Sequence, residues 1–147
     1  MHDPIPIGPI TITFSVLAEE SNGTVTVQRC DVPAGAGIPV AHSHDGFEET
    51  IYGVEGTTVF TVDGAEVVIG PRDTFCIRRG AVHSFVVPGD ADASFLAIAT
   101  PGVFGPAYFL ELRDVVRAAA PGPPNPADMA AVMLRHGLTP APPRAAA

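Results

Sequence analysis

The sequence predicts an all-β fold, an antiparallel sandwich or barrel, followed by a short helical segment. Three observations support this prediction. Many short β-branched and aromatic runs are each bounded by glycine, proline or aspartate, as in strands joined by tight turns. Asp63-Gly64 lies between two such runs and predicts a tight hairpin turn. Beyond residue 101 the apolar residues recur at helical spacing.

The β-domain is assigned to residues 10–104. It follows a proline-rich stretch, residues 1–9, which we expect to form an extended arm. The first two strands are predicted at 10–17 and 24–32, where threonine, isoleucine and valine are frequent. Further strand-like runs follow in the order ETIYGVEG, TTVFTVDG, AEVVIG, DTFCIRRG, HSFVV and ASFLAIAT.

Two helices are predicted in residues 105–138. Pro106 suits the first turn of one helix, and Asn125 can cap a second helix that stops at Gly137. Each helix has one apolar face, which must be buried. We expect the helices to pack against the outside of the barrel or its mouth as a structural brace, with a lid over a pocket as the alternative. Residues 139–147 are predicted to be disordered.

Composition and charge narrow the classes of partner. The chain has 147 residues, of which 46% are hydrophobic and 16% are charged, so a single domain with a packed core is expected. The net charge of −8 disfavours nucleic acid and anionic membrane surfaces, because both require a basic patch. Neither partner is therefore predicted.

The cellular compartment is predicted from absent signals. The first residues have no basic segment followed by a long apolar run, and no stretch reaches the length of a membrane span. The two cysteines, Cys30 and Cys76, are too few for a disulfide framework and are predicted to be buried free thiols. A cytoplasmic protein is expected.

The stretch PVAHSHDGFEET, residues 39–50, carries the most informative side chains. His42 and His44 are two residues apart, so their side chains point to the same face of a strand. Strand parity allows only one residue of the adjacent carboxylates Glu48 and Glu49 to face the interior. His83 begins a later strand run. Three neutral imidazoles and a carboxylate can coordinate a divalent first-row metal and leave positions open for substrate.

Two segments resemble the two sequence motifs of the cupin superfamily. The string from Gly37 to Gly56 resembles the first motif: a glycine, then HxH, then a glutamate, then six residues and a glycine. Residues 72–87 resemble the second motif, with Gly80 three residues before the histidine. The spacing from Glu49 to Gly56 matches, so the resemblance selects Glu49 as the carboxylate ligand. It extends over roughly residues 24–100.

This chain departs from the motifs at four positions. Arg72 and Arg78 stand where the second motif usually has a glycine and a proline, and Val87 stands where it has an asparagine. Gly37 is one residue nearer the histidine than usual. None of these changes removes a ligand. Arg78 could alter a strand end near the site or be a solvated charge.

The resemblance implies a small antiparallel cupin β-barrel, a double-stranded β-helix of the jelly-roll type, with one divalent ion at His42, His44, Glu49 and His83. The ion could be Fe, Ni, Mn, Co or Zn. Ile51 shares the strand parity of Glu49, and Phe85 shares that of His83, so both are expected to line a substrate pocket. The remaining pocket candidates are Phe60 and Phe75, for which ordinary core packing is the alternative.

Three functions are compatible with such a site. The chain resembles small single-domain bacterial cupins of the quercetinase type, which implies a dioxygenase acting on an aromatic hydroxyl or enol, with Glu49 exchanging a proton. A cyclase, isomerase or lyase, as in polyketide-cyclase-like cupins, would use the metal only as a Lewis acid. A non-catalytic module that binds a small ligand is the third.

A homodimer is also expected. The strand predicted at 10–17 is apolar, and an unpaired edge strand of this kind favours pairing with a partner. Cupins commonly dimerise through sheet faces, so the resemblance implies the same.

Overall fold

The computed structural model describes residues 1–38 and 40–142. In this part of the chain, a β-rich body of ten strands is followed by two α-helices and a short eleventh strand. The strands are β1 (Ile5–Ile7), β2 (Ile10–Val16), β3 (Thr26–Val32), β4 (His42–His44), β5 (Glu48–Glu55), β6 (Thr58–Val62), β7 (Ala65–Ile69), β8 (Thr74–Ile77), β9 (His83–Val86), β10 (Ala93–Thr100) and β11 (Leu138–Pro140). The helices are α1 (Pro106–Ala119) and α2 (Pro126–Arg135).

The strands form two antiparallel sheets. One sheet has the order β1-β2-β3-β10-β5-β8 and the other the order β11-β4-β9-β6-β7. Strands distant in sequence are neighbours in both sheets, so the chain passes repeatedly from one sheet to the other, as in a jelly-roll barrel. The all-β fold with a helical segment that the sequence predicted is confirmed.

Alternate residues of the strands contribute to the interior of the barrel, most regularly in β3. In β3 the burial alternates strictly, and Thr26, Gln28, Cys30 and Val32 are the buried residues. This alternation follows from the two-residue repeat of a strand. The inward face of β3 therefore carries a buried amide and a buried thiol among apolar neighbours.

The hairpin predicted at Asp63-Gly64 is present between β6 and β7. Asp63 has a φ of 47° and Gly64 a φ of 84°, and Val62 pairs with Ala65 across the turn. Positive φ at both central residues is the signature of the type I′ turn, whose twist matches that of the flanking strands. The sequence prediction of a tight hairpin is confirmed.

Both predicted helices are present. The Oδ1 atom of Asn125 accepts a hydrogen bond of 2.9 Å from the backbone N–H of Ala127, and Gly137 follows the end of α2 with a φ of 78°. Helix α1 packs against β1, α2 packs against β11, and the two helices pack against each other. Within the described residues, neither helix has the length and apolar character needed to span a membrane.

Three sequence expectations differ from the structure. The first residues of the predicted disordered tail belong to β11, which pairs with β4, while residues 143–147 lie outside the described part. The strand expected to be an unpaired edge, β2, is paired on both sides, because the predicted arm supplies β1 beside it. Cys30 is buried as predicted, but Cys76 is exposed, because it faces outward from β8.

Candidate metal centre and cavity

Three histidines meet inside the barrel. His42 and His44 lie on β4, and His83 begins β9, directly opposite His42 in the paired strands. All three side chains are buried, and their candidate ligand nitrogens lie within 4.8 Å of one another. Strand pairing therefore brings together two segments that are about 40 residues apart in the sequence.

Each imidazole is held by a backbone carbonyl at its Nδ1 atom. The Nδ1 atom of His42 is 3.2 Å from the oxygen of Val40, and that of His44 is 3.2 Å from the oxygen of Phe47. The Nδ1 atom of His83 is 2.9 Å from the oxygen of Ala81. A carbonyl oxygen can only accept, so Nδ1 carries the hydrogen in all three rings. This pattern fixes the ring orientations and leaves the Nε2 atoms to bind an ion.

Glu49, and not Glu48, reaches the cluster. Its Oε2 atom is 3.2 Å from Nε2 of His44 and 3.4 Å from Nε2 of His83. Glu48 points to the opposite side of β5, where its Oε2 atom accepts a hydrogen bond of 2.6 Å from Nε of Arg79. The choice that strand parity left open is thus made by the direction of β5.

The pKa values of the cluster follow from burial and from the contacts between Glu49 and the histidines. Burial opposes the charged form of Glu49, but hydrogen bonds from His44 and His83 outweigh it and hold the pKa of Glu49 well below its usual range. Burial and the nearby His83 lower the pKa of His42 to about 4. Although burial opposes it, the hydrogen bond and charge of Glu49 raise the pKa of His83 above its ordinary value. Glu49 is therefore an anion, and His42 is neutral, at neutral pH.

The donor set fits a divalent metal ion. The Nε2 atoms of His44 and His83 face one oxygen of an ionised carboxylate, and lone pairs so arranged require a cation between them. That cation can be a proton on an imidazole or a metal bound to all of them. Imidazole and carboxylate together suit Fe, Ni, Mn, Co and Zn. The three histidines could hold such an ion, with Glu49 beside them.

A cavity of about 290 Å³ opens beside this cluster. His42, Glu49 and His83 form part of its surface, and most of the remaining described lining is apolar. The volume lies near the lower end of the range for small-molecule sites. The arrangement places the cluster at the edge of an apolar chamber, where a small organic molecule could contact a bound ion.

Three of the four residues predicted to line a pocket do line this cavity. Ile51, Phe60 and Phe85 line the cavity, and Phe75 does not. Phe75 points inward but is only half-buried, because β8 is the last strand of its sheet and lies at the margin of the core. The alternative that the sequence left open for Phe75, ordinary core packing, describes its position.

The cavity has two walls of different origin. The cavity-lining residues of β3, β4, β5, β6, β9 and β10 form what we term the barrel wall: Gln28, Cys30, His42, Glu49, Ile51, Phe60, His83, Phe85 and Phe95. The residues of α1 and α2 that line the cavity form the helical wall: Tyr108, Phe109, Leu112, Val116, Met129 and Met133. The helices therefore stand at the mouth of the barrel and close part of the cavity.

Sequence reasoning missed the cavity residues Gln28, Cys30 and Tyr108. The alternation of β3 contains the signal for the first two, because both share the inward parity of a predicted strand. Tyr108 lies on the apolar face that the sequence predicts for the first helix. Nothing in the sequence pattern shows that this face meets the open end of the barrel.

The motif departures have structural counterparts. Arg72 adopts a φ of 72°, in the left-handed region that favours glycine, the residue usual at this position of the motif. Arg78 is exposed just after β8, as expected of a solvated charge. Val87 is completely buried.

Gly56, which matches the last glycine of the first motif, has a φ of 65°, and a Cβ there would collide with the carbonyl oxygen of Asp92.

The comparison with known families agrees with this architecture. The family model described as Cupin domain matches residues 28–99, which span the three histidines and Glu49. The chain belongs to the cupin superfamily. Quercetin 2,3-dioxygenase from Bacillus subtilis is 29% identical over 96 residues, which are 65% of this cupin and 28% of that protein. The cupin described here thus spans little more than a quarter of that relative's length.

Solved structures show the same fold. A predicted oxalate decarboxylase from Thermotoga maritima is 26% identical with a TM-score of 0.59, over 63% of this cupin and 80% of that chain. The polyketide cyclase RemF from Streptomyces resistomycificus is 22% identical with a TM-score of 0.56, over 71% of this cupin and 78% of that chain. At this identity, the second likeness concerns the fold alone.

Proposed function

We propose that this cupin is a metal-dependent dioxygenase of the quercetinase type, acting on a small aromatic hydroxyl or enol compound. One observation carries the proposal: three imidazoles tethered at Nδ1, with an ionised carboxylate against two of them, stand at the edge of an apolar cavity. His42, His44, Glu49 and His83 would hold one divalent ion. The 29% identity to a quercetin dioxygenase supports the substrate class.

Each residue has a distinct part in this proposal. The ion, when bound, supplies redox chemistry and a positive charge for the substrate oxygen. The three histidines fix its position through their backbone hydrogen bonds. Glu49 is ionised, because its pKa is held low, and can accept the proton of a substrate hydroxyl. The aromatic side chains of Phe60, Phe85 and Phe95 exclude water and pack against a flat ring.

Oxygen consumption tests the proposal. The purified chain is loaded separately with Fe²⁺, Mn²⁺, Co²⁺, Ni²⁺ and Zn²⁺, and dioxygen uptake is followed with quercetin. We expect uptake with at least one redox-active ion and none with Zn²⁺. Glu49→Gln should abolish uptake, whereas Glu48→Gln, its outward-facing neighbour, should not.

The cyclase, isomerase or lyase hypothesis uses the same residues without dioxygen. Turnover of an enol or polyketide-like substrate by the Zn²⁺-loaded chain, with no oxygen consumed, would favour it over the dioxygenase. Binding of a ligand with no conversion under either condition would favour the non-catalytic module.

The homodimer and the cytoplasmic location stay predictions. The argument from β2 no longer supports the dimer, because β1 covers that strand. The resemblance to other cupins still supports the homodimer. Light scattering at micromolar concentration tests it, and a monomeric mass would contradict it.

A further inference from the structure

Two polar side chains line the cavity apart from the histidine cluster. Gln28 is 5% exposed and projects from β3, and Tyr108 is 4% exposed and projects from α1. Among the described residues, neither the Gln28 amide nor the Tyr108 hydroxyl has a hydrogen-bond partner. No described side-chain nitrogen or oxygen is both sealed from solvent and unpartnered. The polar atoms of these two residues are therefore accessible, and the cavity is the space that both residues line.

A ligand that fills the cavity displaces the water that can reach these groups. An apolar ligand would leave the amide or the hydroxyl buried without a partner, at a cost of about 1–3 kcal/mol, whereas a ligand that hydrogen-bonds to them avoids this cost. A leucine at position 28 or a phenylalanine at position 108 would fill similar space without this cost. The presence of both polar groups among apolar neighbours points to a ligand with oxygen atoms of its own.

We propose that Gln28 and Tyr108 are the residues that recognise the substrate in this cavity, and that they select a flat aromatic molecule with several separate oxygen substituents. One oxygen substituent of the ligand contacts the ion site at the histidine cluster. Other oxygen substituents form hydrogen bonds with the Gln28 amide and the Tyr108 hydroxyl. This inference rests on the proposed function, because it assigns specificity within the same site.

The surrounding residues favour a flat ring. Phe60, Phe85 and Phe95 pack against one another in the barrel wall, with ring centroids 5.1–5.4 Å apart. Phe104 continues the aromatic lining toward the helices. Aromatic faces pack favourably against other planar rings. The chamber therefore offers flat apolar surfaces interrupted by two hydrogen-bonding groups.

Tyr108 is well fixed for this role. Its ring lies 4.9 Å from Phe104 and 5.0 Å from Phe109, between ring centroids, so the hydroxyl has a defined position. Burial and the negative charge of Glu49 raise the pKa of Tyr108, which keeps the phenol protonated and able to donate. The amide of Gln28 can both donate and accept.

A matched pair of ligands and variants tests the proposal. Binding of quercetin and of 3-hydroxyflavone to the Zn²⁺-loaded full chain is measured by calorimetry without dioxygen. Both probes carry the adjacent hydroxyl and ketone that could meet the ion, and only quercetin carries further hydroxyls. The proteins are wild type, Tyr108→Phe, Gln28→Leu and the control Tyr52→Phe, whose position on β5 faces away from the cavity.

We expect wild type to bind quercetin more tightly than 3-hydroxyflavone. Tyr108→Phe and Gln28→Leu should each weaken quercetin binding about fivefold, the net effect of one hydrogen bond. The affinity for 3-hydroxyflavone should not fall, because no hydrogen bond to it is removed, and it should rise where the substitution removes a polar group that this ligand leaves unpartnered. Tyr52→Phe should change neither affinity. Thermal unfolding and zinc content verify that the variants are folded and loaded.

Three outcomes would overturn the proposal. If the two variants lost affinity for quercetin and for 3-hydroxyflavone equally, the two residues would only shape the cavity. Unchanged affinity for quercetin in both variants would show that they do not contact the substrate. Failure of wild type to bind either probe would exclude this substrate class. Since no turnover is measured, a protein with the expected pattern that never consumes dioxygen would contradict the dioxygenase and leave this recognition intact.

Discussion

The barrel wall and the helical wall face each other across one cavity, yet they differ in chemistry and in construction. The barrel wall carries the histidine cluster that could hold a metal ion, and each of these histidines lies within hydrogen-bonding distance of a backbone carbonyl. The helical wall is apolar, with Tyr108 as its one polar lining residue among those the structure describes. In the proposed function, the barrel wall would hold the ion and contact the substrate, whereas the helical wall would only contact the substrate.

The difference reflects what each task requires. Ligands of a metal ion must be held within fractions of an ångström, and paired strands with tethered rings supply that rigidity. A substrate surface needs shape and a few polar groups, which a helix face packed over the barrel can provide. Substitutions in each wall should therefore have separable effects on metal content, stability and ligand affinity.

Loss of a histidine from the barrel wall should have the largest effect. We expect His42→Ala and His83→Ala to lower zinc affinity by more than about 100-fold, beyond the loss typical of outer-sphere changes, while the barrel stays folded. Metal analysis and circular dichroism measure both properties. The control is His136→Ala, because His136 lies outside the cluster and bonds to Glu111 at 2.8 Å. Full metal occupancy in both cluster variants would refute the proposed site.

Substitutions near the helical wall separate bracing from ligand contact. Met133 and Leu138 are each 1% exposed, but only Met133 lines the cavity. Met133→Ala and Leu138→Ala should each lower the free energy of unfolding by about 2–5 kcal/mol, measured by denaturant titration. Only Met133→Ala should also change quercetin affinity. If neither variant is destabilised, the helical segment is not a brace.

Acid should weaken metal binding. The raised pKa of His83 means that this ring holds a proton over a wider pH range in the metal-free site, and the proton must leave before the ion binds. Lowering the pH from about 7.5 to about 5.5 should therefore reduce zinc affinity, by about tenfold per pH unit below that pKa for one displaced proton. A competition titration with a chromophoric chelator measures this. Metal content that is constant down to about pH 3.5 would argue against histidine ligands.

The smallest effect is expected on the outer face of the barrel wall. Glu48 forms an exposed ion pair with Arg79, and such pairs contribute less than about 1 kcal/mol. Glu48→Gln should leave zinc affinity unchanged and alter stability within that limit. Glu49→Gln, one residue away, should reduce zinc affinity, because it removes the charge beside His44 and His83. Similar zinc affinities in the two variants would contradict the assignment of Glu49.

Much of the barrel could be predicted because its signals are local. The hairpin at Asp63-Gly64 and the cap at Asn125 depend on backbone conformations that those residues favour. The pairing of β2, in contrast, could not be predicted from local sequence. Its pairing with β1 joins residues of a proline-rich arm to the sheet, and no local pattern in that arm predicts a strand. The edge position expected for β2 was wrong for this reason.

The sequence by itself determined which side chains could bind an ion, because the spacing of His42 and His44 and the two-residue repeat of a strand place both rings on one face. It also determined, through the cupin motifs, that His83 and Glu49 were the candidates to join them. Only the tertiary structure decided what surrounds the cluster. Gln28 and Tyr108 reach the same cavity from a strand and a helix about 80 residues apart, and packing of distant elements, unlike local periodicity, leaves no regular trace in the sequence.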